Sequence, residues 1–395
     1  MFSTLLNTPL FLASFLIVLG ALVFFHELGH YGVAKMFGTD IERFSVGFGK
    51  PIAQWTRKSG EVWSIGRIPL GGYVKFRGDA GGASNPDREE LAKLKGDLEA
   101  DGKSVSNCFH FKPLYQRVLI VLAGPMANFL LAIIITAGLA LAYGTTSFKS
   151  IVAEVAQDMP ASTAGVQPGD HFLTMNGESV REYQQLVGYV AVRSGVPLET
   201  VIDRNGDLIT TVITPVRKER KDFIGGRNDV GTIGVSLSSD SRERVDHNFF
   251  SAIGHGTTDL VMTVKTTGTY IGRIFTGQED GKALGGVARI ATMTGKTAVD
   301  ISQQEATVRE RIRNMIYALL SLGAALSIGL GVANLMPIPA LDGGHLLYYG
   351  YEAIAGRPLS EQKQEFGFRI GFAILLGLFV VLTFNDIGYI RSLFT

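Results

Sequence analysis

Long apolar runs alternate along this chain with polar, turn-rich stretches, and their lengths predict its architecture. Residues 1–25 carry no charged side chain, and 9–25 are almost wholly apolar. Spans long enough to cross a hydrocarbon core are predicted at roughly 7–31, 115–143, 316–336 and 368–386. The third is rich in Gly, Ala and Ser, which suits packing against other helices rather than lipid. The first lacks a basic segment before it and is expected to be retained as a membrane helix rather than removed as a leader.

Between the first two spans, 44–76 alternates apolar and small residues with turn signals. Ser59-Gly60 between Ile52–Trp55 and Val62–Ile65 predicts a hairpin. Trp55 and Trp63, the only tryptophans, fall one on each arm, as in strands lying at a membrane interface; an ordinary surface hairpin fits equally well. Residues 79–107 are polar and predict a mobile segment. Residues 148–237 predict a compact α+β domain, with strands at Ile151–Val155, His171–Met175, Thr200–Asp203, Leu208–Thr214 and Thr232–Val235. One helix is expected at Glu182–Arg193 and a type I′ hairpin turn at Asn205-Gly206. The stretch 238–315 reads as an amphipathic connector, with Phe249, Phe250, Leu260, Val264, Tyr270, Ile271, Ile274 and Phe275 at roughly helical spacing. It would either lie along the membrane surface or pack as a link.

Composition sharpens this picture. Apolar residues make up 46% and charged residues 18% of 395, which favours an integral membrane protein. A net charge of +1 gives no basic field for nucleic acid, and the single Cys108 excludes both disulfides and a cysteine zinc cluster. Residues 32–114 hold 13 Lys/Arg against none in 1–25. That asymmetry predicts a cytoplasmic loop, an outer location for 144–315, and both termini on the outer side.

Candidate chemistry sits at the inner end of the first span, in His26-Glu27-Leu28-Gly29-His30. On a helix the two His fall one turn apart on one face, able to bind Zn²⁺ together while Glu27 serves as general base. Ionisable groups at membrane depth are expensive and point to function by default. After the third span comes Asn334-Leu-Met-Pro-Ile-Pro-Ala-Leu-Asp-Gly-Gly-His345. Its prolines must end the helix, and Asp342 is the expected third ligand, with His345 as a rival. An anionic ligand better offsets the metal charge in a dry site. Asn334 is placed to hydrogen-bond a substrate backbone or an oxyanion. In the second span, Asn128 reads either as a residue joining helices by hydrogen bonds or as one that contacts substrate.

Taken together, HELGH, the IPLGGYVKFRGD stretch, LAGPMANF and NLMPIPALDGGHL resemble the site-2 protease family of intramembrane zinc metalloproteases. Ala164–His171 with Met175–Glu178 resembles bacterial PDZ domains. The resemblance covers nearly the whole chain. It implies four transmembrane helices, a membrane-reentrant β-sheet at about 44–78 and one inserted α+β PDZ domain. It also implies zinc on His26, His30 and Asp342, Glu27 as base, and Asn334, Gly71, Gly72 and Asn128 against substrate. Substrates would be single-pass membrane proteins, anti-sigma factors among them, with remnant signal peptides as further candidates. The PDZ domain would bind a peptide or C-terminus in the periplasm, and the protein would sit among inner-membrane lipids. A non-catalytic metal-binding PDZ scaffold is the alternative, but it has no need of Glu27 between the two His.

Overall fold

A computed structural model of the chain describes residues 9–79, 93, 95–96, 105–222, 224–238 and 241–393, so most of the expected mobile segment 79–107 lies outside the described residues. The chain divides into two compact units, residues 1–135 with 290–381 and residues 136–289 with 382–395.

In chain order, α1 (Pro9–Met36) leads into β1 (Ile41–Thr56), β2 (Val62–Phe76) and α2 (Leu114–Tyr143). Then come β3 (Thr145–Phe148), β4 (Val152–Val155), the short α3 (Pro160–Thr163), β5 (His171–Met175), β6 (Glu178–Ser179) and α4 (Tyr183–Ala191). Strands β7 (Leu198–Arg204), β8 (Asp207–Ile213), β9 (Val216–Lys221), β10 (Arg227–Thr232), β11 (Val235–Leu237) and β12 (Arg242–Val245) follow. Helices α5 (Phe249–Phe275), α6 (Val287–Ser302), α7 (Val308–Asn334), α8 (Asp342–Ala355) and α9 (Glu361–Ser392) complete the chain. Helices α1, α2, α7 and α9 are long and apolar enough to cross a membrane. Leu12, Ile17, Leu130, Ile134, Phe372 and Phe379 stand exposed on them, as side chains facing lipid would.

Three of the spans differ from the expected bounds: α9 runs past 368–386 at both ends, and α1 and α7 depart for identifiable physical reasons. Helix α1 runs five residues past 31, because nothing in Tyr31–Met36 breaks a helix. Helix α7 starts at Val308 rather than near 316, because Thr307 and Glu310 form a capping box ahead of the apolar run.

In the first unit the two long strands fold into a sheet of four tracks. Phe44 is paired with Val74 on one side and Trp63 on the other, and Trp55 pairs with Trp63 across the hairpin. The order across the sheet is therefore 72–76, 41–46, 62–65 and 53–56. β1 turns at Gly47 and Gly49, both at positive φ (88° and 83°), so only glycine follows the bend without strain. Phe44 and Trp63 stack with centroids 4.4 Å apart against the buried face of α1. Beyond that core, Glu61 on the hairpin is buried and bonded to Tyr31 and Lys35, each at 2.5 Å, which pins the sheet over the last turns of α1.

In the second unit β6, β5, β7 and β8 form a sheet in that order, around a core of Phe172, Met175, Leu186, Leu198, Ile202 and Ile213. The expected turn is present: Asn205 and Gly206 both hold positive φ, between β7 and β8. The expected strand at Thr232–Val235 is instead a break, because Gly234 at φ 82° separates β10 from β11, and β11 pairs with β4. The end of α9 belongs to this unit. Asp386 is buried and accepts the backbone N–H groups of Gly286 and Arg289, both at 2.9 Å. Tyr389 donates to Asp222 at 2.6 Å.

Candidate metal centre

Six elements of the first unit converge on one cavity of about 320 Å³, whose lining includes His26, Glu27 and His30 of α1, Phe48 of β1, Gly71–Val74 of β2, Ile120 of α2, Asn334 of α7, and Asp342 and His345 of α8. His26 and His30 stand one helical turn apart, with Nε2 atoms separated by 3.3 Å. Asp342 Oδ2 lies 3.2 Å from His26 Nε2 and 3.4 Å from His30 Nε2. Apart from the two imidazoles, that buried oxygen has no polar partner among the described residues.

These three edges test whether a zinc ion fits. Tetrahedral ligands at about 2.0–2.1 Å from zinc are separated by roughly 3.3 Å. The observed triangle of 3.2, 3.3 and 3.4 Å has that size. The donor set of two imidazoles and one carboxylate leaves a fourth position open, as hydrolytic zinc sites do. His30 is also oriented for the task. Its Nδ1 faces the Ile120 carbonyl at 2.9 Å, which can only accept, so Nδ1 carries the proton and Nε2 keeps its lone pair.

Local sequence explains how each group arrives. The break after α7 comes from Pro337 and Pro339, which cannot continue the helix ladder. Asp342 then opens α8, turned back beside α1. Helix α2 approaches through Gly124, where a Cβ would fall 2.2 Å from His30 Nε2 and 2.9 Å from His26 Cε1. On the opposite side, β2 approaches through Gly72, where a Cβ would fall 2.8 Å from Glu27 Cγ. Glycine at these two positions lets backbone lie directly on the functional side chains.

Of the expected residues, His26, Glu27, His30, Asp342, Asn334, Gly71 and Gly72 share the cavity, and so does His345. Asn334 Nδ2 is 3.4 Å from His26 Nε2. Asn128 does not line the cavity. It is fully buried in α2, with Nδ2 3.0 Å from His26 Nδ1. Phe48 and Tyr73, stacked with centroids 6.1 Å apart, also line it; Tyr73 falls in the IPLGGYVKFRGD stretch, but neither was named for the site. Nor was the buried pair of Asp79 and His110 foreseen, at 2.7 Å, where Asp79 Oδ2 also accepts the Phe76 N–H and so ties off the end of β2. Burial pushes the Asp79 carboxyl up, and the hydrogen bond from His110 opposes that rise.

A carboxylate-and-imidazole cluster of this size beside apolar helices fits a membrane-embedded zinc hydrolase. Residues 14–378 match the profile of peptidase family M50. The chain is 39% identical over 394 residues to metalloprotease MmpA of Caulobacter vibrioides, covering 97% of this chain and 98% of that one. It is 31% identical over 433 residues to zinc metalloprotease RasP of Geobacillus kaustophilus, covering 95% and 97%. The chain belongs to peptidase family M50, the site-2 protease family, and is a zinc-dependent metalloprotease of the membrane.

Two substitutions test the close approaches. Gly124→Ala should weaken zinc retention by about tenfold or more, measured by metal analysis of folded protein in detergent, because its methyl must displace His30. Gly72→Ala should keep the zinc yet lower the rate of peptide cleavage by ~10²-fold, because a shift of about 1 Å at Glu27 spoils its alignment.

Proposed function

We propose that this chain hydrolyses peptide bonds within or beside the membrane-spanning segment of single-pass proteins, with His26, His30 and Asp342 as zinc ligands and Glu27 as general base. The observation that carries the reading is the ligand triangle beside Glu27, in a cavity bordered by a free sheet edge. Residues 72–74 pair with 44–46 on one side and have no β partner on the other among the described residues.

Zinc held by His26, His30 and Asp342 would supply Lewis acidity toward the scissile carbonyl and lower the pKa of water to ~7. Glu27 takes the proton of the attacking water and returns it to the leaving amine. The remaining difficulty is the substrate helix, whose amides are already hydrogen-bonded within the helix. A locally unwound segment would lose those bonds in a medium without water to replace them. The edge at Gly71–Val74 replaces them by strand addition, and Asn334, in the same cavity lining, binds the same backbone.

Residues 148–237 fit a PDZ domain on the outer side, followed by the connector 238–315 and the last two spans in 316–395. In this reading the domain filters substrates, admitting those whose bulky outer part has already been removed. Anti-sigma factors and remnant signal peptides are the substrate class the family resemblance favours, in a bacterial inner membrane with both termini on the outer side.

Two experiments check this. Glu27→Gln should retain zinc and lose cleavage of a single-span substrate by about 10²–10⁴-fold; equal cleavage by both proteins would reject Glu27 as base. Deleting 148–237 should permit cleavage of substrates that still carry their outer domain, and unchanged selectivity would reject the filter.

A further inference from the structure

Both histidines of the proposed ligand set turn their outer nitrogens toward α2. His30 Nδ1 meets the Ile120 carbonyl, and His26 Nδ1 meets the side-chain amide of Asn128 at 3.0 Å. The Ile120 contact has a fixed direction because a carbonyl only accepts. The Asn128 contact does not, because an amide can present either its nitrogen or its oxygen. With Nδ2 facing the ring, His26 Nδ1 must be the acceptor and Nε2 must carry the proton. That tautomer points N–H, not a lone pair, at Asp342 and His30, and it cannot bind metal. A half-turn of the amide keeps the hydrogen bond and reverses its direction. Oδ1 then accepts Nδ1–H, and Nε2 faces the triangle as a lone pair.

The surroundings show an amide held for this contact. Asn128 is 0% exposed, and its Oδ1 is buried without a hydrogen-bond partner among the described residues. Its backbone is fixed from the third side, where Ser327 Oγ of α7 donates to the Asn128 carbonyl at 2.8 Å. A polar side chain at that depth is expensive unless it serves a contact.

We propose that Asn128 is a positioning residue for the metal ligand His26, accepting its Nδ1–H through Oδ1 and so holding Nε2 toward the zinc. This rests on the ligand set proposed above and adds an outer partner to it. It also moves Asn128 from the substrate to the metal.

The test is zinc dissociation from the full chain in detergent, followed with a chromophoric chelator, for wild type, Asn128→Ala, Asn128→Leu, Asn128→Asp and His26→Ala. Loss of the acceptor in the Ala and Leu variants should speed zinc release about 10–100-fold, while Asp, an acceptor of the same size, should hold zinc near the wild-type rate. Retention by Asn128→Leu would show that Asn128 only fills space, and equally fast loss from the Asp and Ala variants would show that no acceptor is required. Either result overturns the proposal. His26→Ala distinguishes the two levels: it should release zinc faster than any Asn128 variant, and release at the wild-type rate there would reject the ligand set itself rather than the role of Asn128.

Discussion

Everything in the first unit depends on bringing polar groups together inside an apolar helix bundle. Two imidazoles and two carboxyl groups cannot be left unpartnered there, since each desolvated polar group carries a penalty of a few kcal/mol or more. The chain meets this by bringing backbone onto the side chains. Helix α2 lies on the histidine face through Gly124 and supplies the Ile120 carbonyl, while β2 lies on Glu27 through Gly72. Helix α8 begins with Asp342 facing both rings. Remove any one of these approaches and the remaining groups are buried charges without purpose.

The same constraint shapes the cavity's border. An edge strand with unpaired N–H and C=O groups is ordinarily a liability that proteins cover or blunt. Here the edge at 72–74, beside the cavity, has no β partner among the described residues, and its ends are held. Asp79 bonded to His110 ties off one end, and the glycine bends at Gly47 and Gly49 fix the neighbouring track. Glu61, bonded to Tyr31 and Lys35, fastens the hairpin to α1. The sheet is therefore anchored to the same helix that carries the histidines, so the proposed substrate strand and the proposed base keep a fixed relation.

How much of this was legible in the sequence depends on the range of the interaction. The spans were legible because a long apolar run needs no partner to be recognised. HELGH was legible because its spacing is that of one helical turn. Linking it to Asp342, over 300 residues on, required the proline-broken helix and the LDGG pattern. The four-track sheet was only half legible: the Ser59-Gly60 hairpin is a local signal, but the second pairing of Phe44 with Val74 is not. The break at Gly234 was misread because a β-rich composition does not reveal a positive φ. Asn128 was recognised as polar at membrane depth, yet its partner could not be read, since contact between two helices 102 residues apart leaves no local trace. The capping box at Thr307 was present in the residues and explains the earlier start of α7.

The most direct test of the account is zinc K-edge X-ray absorption on the purified full chain. The ligand triangle predicts four-coordinate zinc with two imidazoles and oxygen donors, all at about 2.0–2.1 Å. The imidazole scattering should be halved in a His30→Ala protein that still holds metal. A spectrum showing six oxygen neighbours, or two imidazoles unchanged after that substitution, would mean that the zinc sits elsewhere and that the convergence of α1, α2, β2 and α8 serves another purpose.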